Sequence, residues 1–187
     1  AIRDNNPVVF VEHRMLYNLE DHVVETPYTS EIGKARVLQQ GNDITIVGIS
    51  HMVIEALRAH KHLESNGISA EIIDPIWLSP LDIDTIAASV EKTGRLLVVD
   101  TGWLPCGASA EIAIQVIESL QGRKNIIVER AGYAETPCPT TKPLENLFYP
   151  NSSTIASQAF KMIYPNSLQW TPKGEEAEEI TKFKGPF

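Results

Sequence analysis

The sequence has no cluster of lysine and arginine. Its 187 residues carry 16 basic side chains against 24 acidic ones, a formal net charge of −8. A nucleic-acid partner requires a basic patch, so none is expected. No apolar run approaches the ~20 residues that span a bilayer, so no membrane partner is expected either. Cysteine is scarce. Cys106 and Cys138 make neither a disulfide framework nor a zinc site. The opening residues Ala1–Asn6 are polar, unlike a secretory signal. Together these absences point to a reducing, cytoplasmic setting. Two phosphate-binding fingerprints are also missing: Gly-x-Gly-x-x-Gly, and a glycine loop that ends in Lys-Ser or Lys-Thr.

What is present is a hydrophobic fraction of 43%, enough for a core of ordinary size. Pro7–Glu12 (PVVFVE) predicts a strand, followed by a polar linker. Arg36–Gln39, a turn at Gly41-Asn42-Asp43 and the β-branched run Ile44–Ser50 predict a hairpin. Beyond it the pattern alternates. Val53, Ala56, Leu57, His60 and Leu63 recur at helical spacing, and Gly67 supplies a stop. Ser69–Ile76 predicts a strand. Ser79, Pro80 and Asp82 predict a capped helix start with proline in the first turn. Ile83, Ile86, Ala87 and Val90 give that helix its apolar face. Arg95–Asp100 and Asn125–Arg130 predict two more strands around a third helix, and a last helix covers Ser153–Tyr164.

Strands alternating with helices predict a parallel sheet. Fully apolar strands fit a sheet covered on both faces. The expected fold class is α/β: a three-layer α/β/α domain whose five-stranded sheet is mostly parallel, with Arg36–Gln39 as one antiparallel strand. The domain is expected over residues 30–165. Residues 1–29 read as a strand and linker, and residues 166–187 as an irregular, loosely packed tail in which EEAEE is a solvated run.

In such sheets ligands bind beyond the carboxyl ends of the strands. That edge gathers His51, Trp77, Asp100, Trp103, Arg130 and Tyr133. His51 suits acid–base work, helix capping or contact with a partner. Trp77 and Trp103, at loop tips, suit an interface more than a stacking platform. Cys106 lies near a helix start that can lower a thiol's pKa, but such a residue is more often a small loop filler than a nucleophile. The stretch VVDTGWLPCGASAEI, residues 98–112, reads as a phosphate loop, a cysteine site or a plain connection. No acid pair, metal spacing or Ser/His/Asp set assembles, so no catalytic, cofactor-binding or metal residue is assigned.

The order PVVFVEHRMLY, ITIVGISHMVIEALRA, EIIDPIWLSPLDIDTIAASVEKTGRLLVVD and GASAEIA resembles the β subunit of 2-oxo acid dehydrogenase E1 components. That family includes pyruvate, branched-chain 2-oxo acid and acetoin dehydrogenases. The resemblance covers about residues 7–163, and LSPLDIDTI…SVEKTGRLLVVD is its most specific block. It implies the transketolase C-terminal fold. It implies thiamine-diphosphate-dependent oxidative decarboxylation of a 2-oxo acid, with acyl transfer to the lipoyl group of E2. Such β subunits have an earlier pyrimidine-binding domain, and PVVFVE resembles that domain's last strand. Diphosphate and magnesium ligands belong to the α subunit. The implied chain is therefore a C-terminal piece, inert alone and with no cofactor bound. Its implied partners are a second copy, E1 α and E2. The resemblance reads VVDTGWLPCGASAEI as a connection facing a neighbouring chain or domain.

The chain departs from the family at Pro75-Ile76-Trp77, at Asp100-Thr101 and at ETPCP. A transketolase or deoxyxylulose-phosphate synthase domain, or a non-catalytic ligand-binding module, stands as the alternative. A sugar-phosphate enzyme needs basic ligands at the strand ends, where only Arg130 qualifies.

Overall fold

The computed structural model describes residues 2–20, 22 and 24–172. The chain divides into two compact units, one holding Ala1–Tyr28 and the other beginning at Thr29. In the first unit the expected strand Pro7–Glu12 is absent, and a short 3₁₀ turn covers Arg14–Asn18. Val9, Phe10 and Val11 are exposed. A strand needs a neighbour to take its backbone hydrogen bonds, and the described residues supply none here.

The second unit contains β1 (Arg36–Gln39), β2 (Ile44–Gly48), α1 (Met52–Glu64), β3 (Ala70–Asp74), α2 (Ile83–Thr93), β4 (Arg95–Trp103), α3 (Ala108–Leu120), β5 (Ile127–Tyr133), α4 (Lys142–Phe148) and α5 (Ser152–Ile163). The sheet order is β1-β3-β2-β4-β5. β3, β2, β4 and β5 are parallel, and β1 is antiparallel to β3. Alternation along each strand sends Ile44, Ile46, Ile72, Leu97 and Val99 to one face, against α1 and α5. Val47, Ile73, Leu96 and Val98 go to the other, against α2 and α3. These are the expected three layers.

The expected hairpin does not form. Both edges of β2 are taken by β3 and β4, so β1 pairs on the far side of β3. The segment read as its turn passes across the start of β3 instead. The N–H groups of Asn42 and Asp43 donate to the Ser69 carbonyl, at 3.0 and 2.9 Å. Gly41 must be glycine there, because a Cβ would lie 2.2 Å from the Ala70 carbonyl carbon.

Three boundaries also move. The N-cap of α2 is Asp82 rather than Ser79, its carboxylate accepting from the Thr85 N–H at 3.2 Å. β4 runs on to Trp103 and β5 to Tyr133, past the expected ends at Asp100 and Arg130. Helix α4 is an addition. In the expected tail, Trp170 packs on Phe160 with ring centroids 4.9 Å apart, because an indole buries more apolar area than a loose tail can shield. The EEAEE run lies outside the described residues. Among the described residues, no helix is long and apolar enough to cross a membrane.

The floor of the sheet, where the strands begin, is closed by polar groups that satisfy one another. The buried Glu71 carboxylate accepts from the Gly41 N–H at 3.2 Å and from the Lys92 ammonium. The Thr45 hydroxyl meets those of Ser89 and Thr93 at 2.7 and 2.8 Å. Arg95 donates to the carbonyls of Met162 and Asp43, which ties the end of α5 to the sheet.

Candidate functional site

All four parallel strands deliver their carboxyl ends to one rim. Strand order reverses around β2, so the crevice where α/β sheets usually bind ligands lies between the ends of β2 and β4. Asp100 fills that place. It is 6% exposed, and its Oδ2 accepts from the Ser109 N–H at 3.3 Å, in the first turn of α3. A helix N-terminus attracts an anion, and this one is served by the chain's own carboxylate. Gly107 makes the approach possible, because a Cβ there would lie 2.4 Å from the Trp103 carbonyl oxygen.

The other expected residues divide by role. His51 is 8% exposed at the N-cap position of α1, without a side-chain cap hydrogen bond. Trp77 is half-buried, and its indole N–H has no hydrogen-bond partner among the described residues. Trp103 is 54% exposed. It stands in strand register with Tyr133 and donates its indole N–H to the Ala134 carbonyl at 3.2 Å. Arg130 lies within β5 and donates to the Leu104 carbonyl at 2.7 Å. The two hydrogen bonds fasten the β4–α3 connection to the end of β5. Asp100, Trp103, Arg130 and Tyr133 thus share one corner of the rim. His51 and Trp77 follow β2 and β3, on the other side of the crevice.

Sequence reasoning missed the cluster that completes this corner. The Tyr133 ring packs on Phe148 and Tyr149, both at 5.0 Å. The Tyr149 hydroxyl lies 3.3 Å from the Cys138 sulfur. That contact comes first among the causes that push the Tyr149 phenol up to about 12, with burial next. Burial also raises the Tyr133 phenol, helped by the negative charges of Asp100 and Cys138. The Ala134 N–H donates to the Phe148 carbonyl at 3.1 Å and closes the base of an arm that carries α4. The signal for α4 was in the sequence: Pro143 in the first turn, with Leu144, Leu147 and Phe148 at helical spacing.

Among the described residues, no group of three or more His, Cys, Asp and Glu side chains is placed to hold a metal ion. A diphosphate does not fit the α3 N-terminus either, since Asp100 already holds negative charge there. What the corner can do is present aromatic surface on a rigid frame.

A family model described as the transketolase C-terminal domain matches residues 33–155. The β subunit of acetoin:2,6-dichlorophenolindophenol oxidoreductase from Cupriavidus necator is 43% identical over 161 residues, covering 86% of this chain and 48% of that protein. The β subunit of the pyruvate dehydrogenase E1 component of Bacillus subtilis is 41% identical over 164 residues, covering 87% and 50%. The chain thus spans about half the length of the curated relatives it matches. A solved structure described as a split-gene transketolase, inactive β4 tetramer, aligns with a TM-score of 0.64 at 26% identity, over 73% of this chain and 44% of that one.

Proposed function

Because the chain belongs to the transketolase C-terminal domain family, we propose that it is the assembly domain of a 2-oxo acid dehydrogenase E1 β subunit. In that reading the intact enzyme uses thiamine diphosphate with Mg²⁺ to decarboxylate a 2-oxo acid oxidatively. It hands the acyl group to E2. The chemistry lies in segments outside these 187 residues. The relatives named as acetoin and pyruvate dehydrogenase β subunits support this. Residues 30–165 form the domain, residues 1–29 lead into it, and residues 166–187 trail from it. The cytoplasm is the compartment.

The observation that carries the reading is the rim itself. Asp100 occupies the ligand position, and Trp103 stands exposed beside it on a fixed frame. Rigid, half-exposed aromatics suit an interface. A second copy of the chain and an E1 α subunit are the proposed neighbours at this rim. The β4 assembly named for the split-gene transketolase relative supports the first. Arg130 and Tyr133 hold the frame, and Trp77 offers its indole N–H to an acceptor on a partner. A transketolase-type activity is less well supported. Its sugar phosphates need free basic groups, and the Arg130 guanidinium is engaged by Leu104.

Light scattering of the full chain at several concentrations tests the reading, together with calorimetric titration of thiamine diphosphate and Mg²⁺. Self-association with no heat of cofactor binding is the expected result. A monomer that binds the cofactor tightly would overturn it.

A further inference from the structure

Asn66-Gly67 is the only asparagine–glycine pair in the 187 residues. It makes the turn between α1 and β3, at the floor of the sheet. Glu64, Ser65, Asn66 and Gly67 are all exposed. Nothing lies within 4 Å of where a Cβ on Gly67 would stand, so no side chain shields the Gly67 nitrogen. Its N–H donates to the Glu64 carbonyl at 2.9 Å, an exposed bond that water can replace. The Asn66 carboxamide is tethered to the last turn of α1 by exposed bonds from Nδ2, to the His62 carbonyl at 3.0 Å and the Ser65 hydroxyl at 3.3 Å. Asn151-Ser152, at the start of α5, is the opposite case. Asn151 Oδ1 accepts from the Thr154 N–H at 3.0 Å, and the Ser152 N–H donates to the buried Glu55 carboxylate at 2.7 Å. There the side-chain carbonyl and the following nitrogen are both held. Asn166-Ser167 is exposed, and the Ser167 N–H donates to the Tyr164 carbonyl at 3.0 Å, but serine brings a Cβ.

We propose that Asn66 is a site of spontaneous covalent modification, with the chain supplying both nucleophile and electrophile. The Gly67 amide nitrogen gives its proton to hydroxide and attacks Asn66 Cγ. The new N–Cγ bond closes a succinimide ring, the Cγ–Nδ2 bond breaks, and Nδ2 leaves as ammonia. Water then opens the ring at either of its carbonyls. One opening gives aspartate. The other gives isoaspartate, whose backbone runs through the former side-chain methylene. The only co-reactant is water, and no electrons are exchanged. Both products place a negative charge just beyond the last turn of α1, beside exposed Glu64, where the helix already presents the negative end of its dipole. Isoaspartate also lengthens the turn that seats Ile68, which is 2% exposed and donates its N–H to the Leu63 carbonyl at 3.1 Å. The modification therefore loosens the joint between α1 and β3 as the chain ages. It lies at the opposite end of the sheet from the Trp103 corner and does not depend on what that corner meets.

The test keeps the full chain folded in mildly alkaline buffer, made with water enriched in the heavy oxygen isotope, and maps its peptides by mass spectrometry over weeks. Asn66 should take up heavy oxygen and convert at least about tenfold faster than Asn151 or Asn166. Aspartate and isoaspartate should appear together. In urea, conversion of Asn151 should rise toward that of Asn166, because its two holding bonds are gone. Gly67→Ala should slow the reaction severalfold. That variant strains a left-handed position, with φ of 74°, so Asn66→Gln serves beside it. The glutamine is exposed and leaves the backbone alone, and it should abolish the reaction. The denaturant midpoint of the aged chain should fall, while that of the aged Asn66→Gln chain should hold. Equal conversion of Asn66, Asn151 and Asn166 in the folded chain would overturn the proposal. So would aspartate without isoaspartate, which marks direct hydrolysis and no ring. A midpoint that holds while Asn66 converts would overturn the loosening of the α1–β3 joint.

Discussion

The two ends of the sheet solve the same geometric problem differently. At the floor, chain leaving a helix must turn into a strand, and glycine takes the left-handed position. Gly67, Gly94 and Gly122 follow α1, α2 and α3 with φ of 74°, 76° and 74°. At the rim, chain leaving a strand must turn into a helix. There the left-handed residues are Ser50, Ile76 and Cys106, with φ of 58°, 56° and 58°. Glycine adopts that conformation freely, whereas an L-residue bears about 1–2 kcal/mol of strain. Among the described residues, Glu71, Thr45 and Arg95 are paired at the floor, and the buried polar atoms without a partner include the Trp77 indole N–H and the Ser109 hydroxyl at the rim and His60 Nδ1 in the second half of α1. Left-handed strain in residues other than glycine thus falls at the rim, and the helix-to-strand turns of the floor are free of it.

The largest test of that contrast is at Glu71. Glu71→Ala should cost about 2 kcal/mol in urea unfolding, because it strands the buried Gly41 N–H. A loss under about 0.5 kcal/mol would mean the floor is no stronger than the rim. Paired substitutions sharpen the point. Gly94→Ala should destabilise by about 1–2 kcal/mol, and Ile76→Gly should stabilise by up to about 1 kcal/mol. Opposite signs support the contrast, and equal signs break it.

Acid unfolding separates the two ends by group. Burial would raise the Glu71 carboxyl, but hydrogen bonds from Lys92, Ser89 and Gly41 outweigh it and hold the group below its ordinary 4.5. Burial opposes the shift at Asp82 too, where the Ala35 N–H and Thr85 hold the group below 3.8. A depressed carboxylate contributes stability above its unfolded value and loses it as pH falls through the folded one. Stability from these two groups should therefore stay level above about pH 5 and decline below it. Glu71→Gln should flatten the upper part of that decline and Asp82→Asn the lower. Denaturant midpoints across pH measure both.

The rim should answer more weakly in stability and more strongly in contact. Trp103→Ala should change monomer stability by less than about 1 kcal/mol, since the side chain is half exposed, yet shift the light-scattering midpoint toward monomer. Cys138→Ala should bring the Tyr149 phenol down from about 12 toward its ordinary value, read by ultraviolet titration.

The layers were legible because burial on both faces writes itself as unbroken apolar runs such as Leu96–Val99. The pairing of β1 was not, because local pattern does not say which edge is already occupied. β4 and β5 were ended early, at Asp100 and Arg130, because their apolar runs stop there. Gly102 and Gly132 let the two strands continue side by side: a Cβ on Gly132 would lie 2.5 Å from the Gly102 oxygen. Trp103 and Asp100 were legible as candidates, since strand ends carry sites. The plugging of the crevice by Asp100 was not, because it depends on a contact nine residues away. Tyr149 and Cys138 stayed hidden for a similar reason, being eleven residues apart and joined only when the arm closes.

Among the described residues, the base of that arm is closed by the backbone bond from Ala134 to Phe148 and by the packing of the Tyr133 ring on Phe148 and Tyr149. Everything between is a cassette. Doubling the length of such an insert costs only about 0.6 kcal/mol of closure entropy, and no strand register passes through it. A longer or shorter insert at this point would change the surface it shows while the strand pairing that carries it stays the same.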